Sequence, residues 1–150
     1  MILWDTRSNI TSNIVHAHDA KVNSLSFNPN REFILATASA DESIALWDIR
    51  FLKSKLIALK YNNIEFFQVQ WSPHYESVLA SRAADNWLFV WDMNNYVPSI
   101  AEADEYRTEL SFIYYGNEFN ISDFSWNDNE LWTFCSVAKD NILRVWQNTQ

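Results

Sequence analysis

The sequence predicts an all-β fold, a partial β-propeller of about three four-stranded blades behind the remnant of another. Three observations carry that prediction. Tryptophan ends a short aliphatic run at Trp4, Trp47, Trp91 and Trp146, followed by aspartate in the first three and by Gln147 in the last. The spacings are 43, 44 and 55 residues, near the ~40–45-residue period of a four-stranded blade. Six residues before three of the tryptophans stands an aspartate (Asp41, Asp85, Asp140), and twenty before stands a large aromatic (Phe27, Trp71, Trp126). A single sheet of this kind cannot bury both faces, so the repeat implies stacked neighbours.

The elements follow in order. Residues 1–18, with Ile2-Leu3 leading to Trp4, read as the remnant of a preceding blade. Residues 19–61 form the first complete unit: Leu25-Ser26-Phe27 alternates apolar with polar, Phe33 to Ala38 is more continuously apolar, and Asp41-Glu42 turns the chain into the strand ending at Trp47. Residues 62–115 repeat this with Phe67 to Trp71, Val78 to Ala80, the Asp85-Asn86 turn and Leu88 to Trp91. Residues 116–150 do so again with Phe124 to Trp126, Trp132 to Val137, Asp140-Asn141 and Ile142 to Trp146. Alternation of period two marks half-buried strands, and no helical period is sustained. Gly116 is the single glycine, whereas asparagine occurs 16 times. Asparagine tolerates positive φ better than most residues and takes the turn positions. Propellers close with ~4–8 blades, so the expectation is an arc whose remaining blades come from elsewhere.

The chain is 48% hydrophobic and 16% aromatic, the composition of a folding sequence and not of a disordered one. Cys135 is the single cysteine, which excludes an internal disulfide and fits a reducing compartment. No stretch approaches the ~18 apolar residues of a membrane span and no secretory signal opens the chain, so an intracellular, soluble protein is expected. The formal net charge of −8 is concentrated: residues 101–130 hold eight acids and one base, Arg107. The distance from each tryptophan to the next first-strand aromatic is 23, 24, then 35 residues. The extra eleven lie between Trp91 and Trp126, in an acidic loop spanning residues 94–109. A long acidic loop on a rigid scaffold suits docking of a basic partner, because complementary charge speeds and orients encounter. It disfavours nucleic acid as a direct ligand.

Catalytic patterns are missing. Three histidines (His16, His18, His74) and one cysteine give no closed zinc set. His16 and His18 are a possible metal pair on one strand face, but a structural hydrogen-bonding role suits His18 better. One glycine cannot make a phosphate loop, and no serine lies in a nucleophile elbow. No enzyme activity, no metal and no cofactor are expected.

Particular strings narrow the reading: Val22-Asn23-Ser24-Leu25-Ser26-Phe27-Asn28-Pro29, Phe67-Gln68-Val69-Gln70-Trp71-Ser72-Pro73-His74 and Ile121-Ser122-Asp123-Phe124-Ser125-Trp126-Asn127. In these the chain resembles the WD-repeat superfamily, and within it the retinoblastoma-binding, chromatin-assembly-factor small-subunit family of histone-binding propellers. The similarity corresponds to the C-terminal part of a seven-bladed ring. It implies a nuclear scaffold, without catalytic activity, that holds histones three and four for chromatin assembly and histone-modifying complexes. By that likeness Glu102, Asp104, Glu105 and Glu109 face the first helix of histone four, with Leu110 and Phe112 at the groove floor. A second site on the top face, for basic peptides, takes Asn23, Glu65 and Phe67. A structural network of His, Ser, Asp and Trp falls on His18, Ser39, Asp41 and Trp47, with Asp85, Trp91, Asp140 and Trp146 in later units. There Asn62 and Asn117 stand for the histidine and Ala83 and Ala138 for the serine, so unpaired indole N–H groups and softer blades are expected. The family's N-terminal helix has no counterpart, and Arg107-Thr108 stands where the family has paired prolines.

A different class of function also fits. Trp4-Asp5-Thr6-Arg7 and Trp47-Asp48-Ile49-Arg50 match the Trp-Asp-x-Arg box of substrate-receptor adaptors of cullin-type ubiquitin ligases.

Overall fold

The structure, a computed structural model, describes residues 1–4, 7, 11–84, 86–97, 109–115 and 119–147. Its strands are β1 (Ile2–Trp4), β2 (Thr11–Ile14), β3 (Val22–Phe27), β4 (Ile34–Ser39), β5 (Ser43–Asp48), β6 (Ile57–Lys60), β7 (Phe66–Trp71), β8 (Val78–Ala83), β9 (Leu88–Asp92), β10 (Leu110–Tyr114), β11 (Ile121–Trp126), β12 (Thr133–Ala138) and β13 (Leu143–Gln147). They form antiparallel meanders: β1-β2, β3-β4-β5-β6, β7-β8-β9-β10 and β11-β12-β13. A 3-10 turn at Met93–Asn95 is the one helical element among the described residues. The sheets lie against one another as blades of a partial β-propeller, β3 beside β7 and β7 beside β11.

Why the middle and third strands of the two four-stranded units read as unbroken apolar runs is now plain: each is covered on both faces. Along β9, Phe89 and Trp91 join Ala36, Ala38, Ile44, Leu46, Phe66 and Trp71 in the core between the first two complete blades. Leu88 and Val90 point the other way and meet Phe124, Trp126 and Phe134 of the last blade. Leu35, Ala45 and Trp47 likewise turn back onto Ala17, with Met1 and Val15 beside them. Burying one such side chain contributes ~1.5–3 kcal/mol, so stacking of blades supplies most of the stabilisation.

Indole groups also tie blade to blade. Trp71 Nε1 donates to Ser26 O (3.2 Å) and Trp126 Nε1 donates to Gln70 O (3.1 Å), the same bond repeated one unit along. The inner edge of β7 is capped from the preceding blade, with Val69 N–H and Trp71 N–H donating to the hydroxyls of Ser24 and Ser26. Arg31 and Glu76 pair across the far end of this junction at 2.7 Å.

The turns bear out the role given to asparagine. Of six non-glycine residues with positive φ among the described residues, four are Asn62, Asn63, Asn86 and Asn141, and the others are Glu42 and Trp132. The outer strands β2, β6 and β10 carry no sequence marker and complete three of the sheets. The strand expected over Val78 to Ala80 runs on to Ala83 because Arg82 and Ala83 still pair with β7.

Candidate functional site

Each inner strand is interrupted at one place. Register slips between Val22 and Ser24, between Phe66 and Gln68, and between Ile121 and Asp123. The extra residues are therefore Asn23, Phe67 and Ser122, in equivalent positions of three blades. A bulge bends its strand and re-aims the extra side chain, which is how two of the residues assigned to the top face come to lie at the strand entrances.

These bulges assemble a polar cluster at the junctions. The Asn23 amide donates to Glu65 Oε1 and to Phe66 O, both at 2.9 Å, which brings Asn23 and Glu65 together. Phe67 lies under the Arg82 guanidinium, 5.1 Å from ring centroid to Cζ. Arg82 Nη1 donates to Ile121 O at 2.6 Å and Nε donates to Gln68 Oε1 at 3.4 Å. Gln68 Nε2 in turn donates to Asp123 Oδ1 at 2.7 Å. Burial pushes the Arg82 guanidinium below its ordinary value, with the Asp123 carboxylate opposing. Arginine stays charged regardless. Arg82, Gln68 and Asp123 were missed from sequence; they occupy ordinary strand positions and become one constellation through packing of β7, β8 and β11.

The loop assignment divides. Glu102, Asp104 and Glu105 lie outside the described residues. Glu109 is 5% exposed, and its carbonyl accepts from Asp92 N–H at 2.7 Å. Its neighbours Leu110 and Phe112 open β10 and are half-buried, flanking a register slip against β9. Phe112 packs edge-on to Trp132, centroids 6.3 Å apart. The loop thus re-enters the sheet along the blade's outer edge.

The hydrogen-bond network runs along a different path from the expected one. Trp47 Nε1–H donates to Thr37 Oγ1 (2.9 Å), which lies 2.7 Å from His18 Nε2. His18 Nδ1 is 2.9 Å from Asp41 Oδ2, and Asp41 Oδ1 accepts from the Ser43 hydroxyl at 2.6 Å. Ser39 does not touch the indole: its hydroxyl donates to Lys21 O and accepts from Asp41 N–H. The indole partner is therefore Thr37. In the later blades, Trp91 Nε1 donates to Ser81 Oγ and Trp146 Nε1 to Ser136 Oγ, both at 2.8 Å. Ala83 and Ala138 consequently leave no indole N–H unpaired, and that expectation is overturned. The signal was present as a hydroxyl ten residues before each tryptophan. Asp140 pairs with Arg144 at 2.7 Å, Asn62 sits in a turn at φ 46°, and Asp85 and Asn117 lie outside the described residues. His18 uses both ring nitrogens within this network, and no group of three or more metal-ligating side chains occurs among the described residues.

Burial lowers His18 below the ordinary imidazole value, with the Asp41 hydrogen bond and charge opposing. Burial would raise Asp41, yet bonds from Ser43, the Asp19 N–H and His18 hold it at about 2. Neutral His18 donates from Nδ1 to a carboxylate and accepts from Thr37 at Nε2. The arrangement orders the blade.

Repeated sheets stacked face to face, with polar side chains gathered at strand entrances, define a β-propeller interaction scaffold. Residues 10–48 and 108–147, more than half of the chain, match the family model described as WD domain, G-beta repeat. The chain belongs to the WD-repeat family. Each matched span starts on an outer strand, β2 or β10, and ends with the third strand of the next sheet. The sequence repeat therefore straddles two blades and fastens them together.

Proposed function

We propose that this protein is a non-catalytic, nuclear scaffold that binds histones three and four within chromatin assembly or histone-modifying complexes. The observation that carries the reading is the eleven-residue insertion, whose loop holds four acids against one base and which feeds into β10 at Leu110 and Phe112. A basic amphipathic helix would set cations against Glu102, Asp104 and Glu105 and its apolar stripe against Leu110 and Phe112. The pairing of Asn23 with Glu65, with Phe67 in the neighbouring bulge, supports a second contact for a basic peptide.

The test is calorimetric titration of the full chain with a peptide of the first helix of histone four. Reversing Glu102, Asp104 and Glu105 to lysine should weaken binding roughly tenfold or more, and raised salt should weaken the unaltered protein. Glu109 stays unaltered, because its burial would turn a charge reversal into a folding defect. Undiminished affinity in the triple variant overturns the loop assignment.

A second reading is the cullin-ligase adaptor. It starts from the Trp-Asp-x-Arg sequence ending at Arg50, whose Nε and Nη2 already donate to Asp48 at 2.9 and 2.6 Å. That internal pairing gives the arginine a strand-capping role and ranks the adaptor second. Loss of the ligase's propeller subunit from pull-downs with Arg50→Ala would favour it.

A further inference from the structure

At the opposite end of the blades from Asn23 and Glu65, the loop leaving β5 borders a cleft against the leading sheet. Its volume is about 640 Å³, and its wall includes Ile14, His16, Arg50, Phe51, Leu52 and Lys53, a size that accepts one or two side chains. Among the described residues no acid lines it. The charge of the region runs against that of the molecule. Between Ile49 and Leu56 the loop carries Arg50, Lys53 and Lys55 and no acid, within a protein of net charge −8. Lys53 and Lys55 are both exposed.

Apolar groups are interleaved with these cations. Phe51 is 71% exposed and Ile14 72% exposed, both at the cleft mouth. The floor is firm: Arg50 is clasped by Asp48 and its guanidinium lies 4.3 Å over the Phe33 ring. Exposed aromatic and aliphatic side chains beside exposed lysines form a surface for a ligand with alternating apolar and anionic groups.

We infer that this cleft binds a short acidic peptide segment of a partner protein, with one apolar side chain in the cleft and carboxylates over Lys53 and Lys55. Charge complementarity selects the occupant. Carboxylates interspersed with apolar groups match both halves of the surface, whereas a polyphosphate backbone would leave Phe51 and Ile14 uncovered and meet the long-range repulsion of an acidic protein. The inference is independent of histone binding, which calls for a ligand of the opposite charge with its main contact on the insertion that leads into β10.

The experiment is fluorescence anisotropy of the full chain with three labelled probes: a short peptide alternating glutamate and leucine, its lysine-leucine counterpart, and a short duplex DNA. The glutamate peptide should bind and the other two should not. Combined Lys53→Glu and Lys55→Glu, and separately Phe51→Ser, should each weaken it roughly tenfold or more. All three positions are exposed loop sites, so circular dichroism should be unchanged. Lys139→Glu, an exposed reversal on the last blade, should leave affinity intact. The proposal is overturned if the glutamate peptide fails to bind, if the lysine peptide or DNA binds equally well, or if Lys139→Glu weakens binding as much as the Lys53 and Lys55 pair.

Discussion

Thr37 is two atoms from two different functions in the blade: its hydroxyl oxygen receives the Trp47 indole proton and its hydrogen serves His18. Thr37→Val keeps the shape and strands both partners, so it should cost ~1–3 kcal/mol, the usual penalty for buried groups left unpaired. Ser39→Ala leaves the indole bond in place and should cost less; urea denaturation of the two variants checks the order. The same network sets an acid profile. His18 is lowered from 6.5, so the unfolded chain takes up its proton first, and the stability this group contributes is complete above that value and declines as pH falls through it. Asp41 is lowered from 3.8 to about 2, so its contribution is complete above 3.8 and is lost as pH falls towards 2. Denaturation midpoints should fall in two stages on acidification, and His18→Asn should remove the upper stage while leaving the lower.

Elements show where sequence reading succeeds and where packing decides. Tryptophan, the aspartate six before it and the aromatic twenty before it are legible because each recurs with a repeated local geometry: strand end, tight turn and, at Trp71 and Trp126, the blade-to-blade indole bond. The acidic insertion was legible as a break in that spacing. The inner-strand bulges were not, since Asn23 and Phe67 carry no composition of their own and differ from their neighbours only in register. Outer strands escaped notice for a related reason: Thr11–Ile14 and Ile57–Lys60 are fixed by the strand they pair with and not by internal pattern. One turn position makes the point quantitative. Glu42, Asn86 and Asn141 are equivalent, each one residue after the turn aspartate, with φ of 68°, 67° and 64°. Two blades fill this left-handed site with the residue that tolerates it; the first uses glutamate, which does not. Glu42→Asn should therefore raise stability by ~0.5–1 kcal/mol, seen as a higher denaturant midpoint with unchanged slope.

For the molecule as a whole, the decisive contrast is between covered and uncovered sheet faces. The two four-stranded sheets share a buried core between them, whereas the outward faces of the array stay exposed. Leu143 and Val145 on β13 are 62% and 67% exposed, and Leu25 and Phe27 on β3 are 57% and 51% exposed. The strands β13 and β6 also present one edge without a described pairing strand. Alternating side chains of blade type on an open face, next to unpaired backbone groups, form a template for another sheet. The whole chain should therefore associate with itself in a concentration-dependent way through sheet faces and not through the basic cleft. Light scattering on size-exclusion chromatography should show mean mass rising with loading, and Leu143→Lys combined with Val145→Lys should suppress the rise while Lys53→Glu leaves it untouched. The two lysines act twice, removing apolar area and placing like charges where copies would meet, so partial suppression by either alone is also expected. A mass that stays monomeric at every loading would show that these faces are covered within the molecule after all.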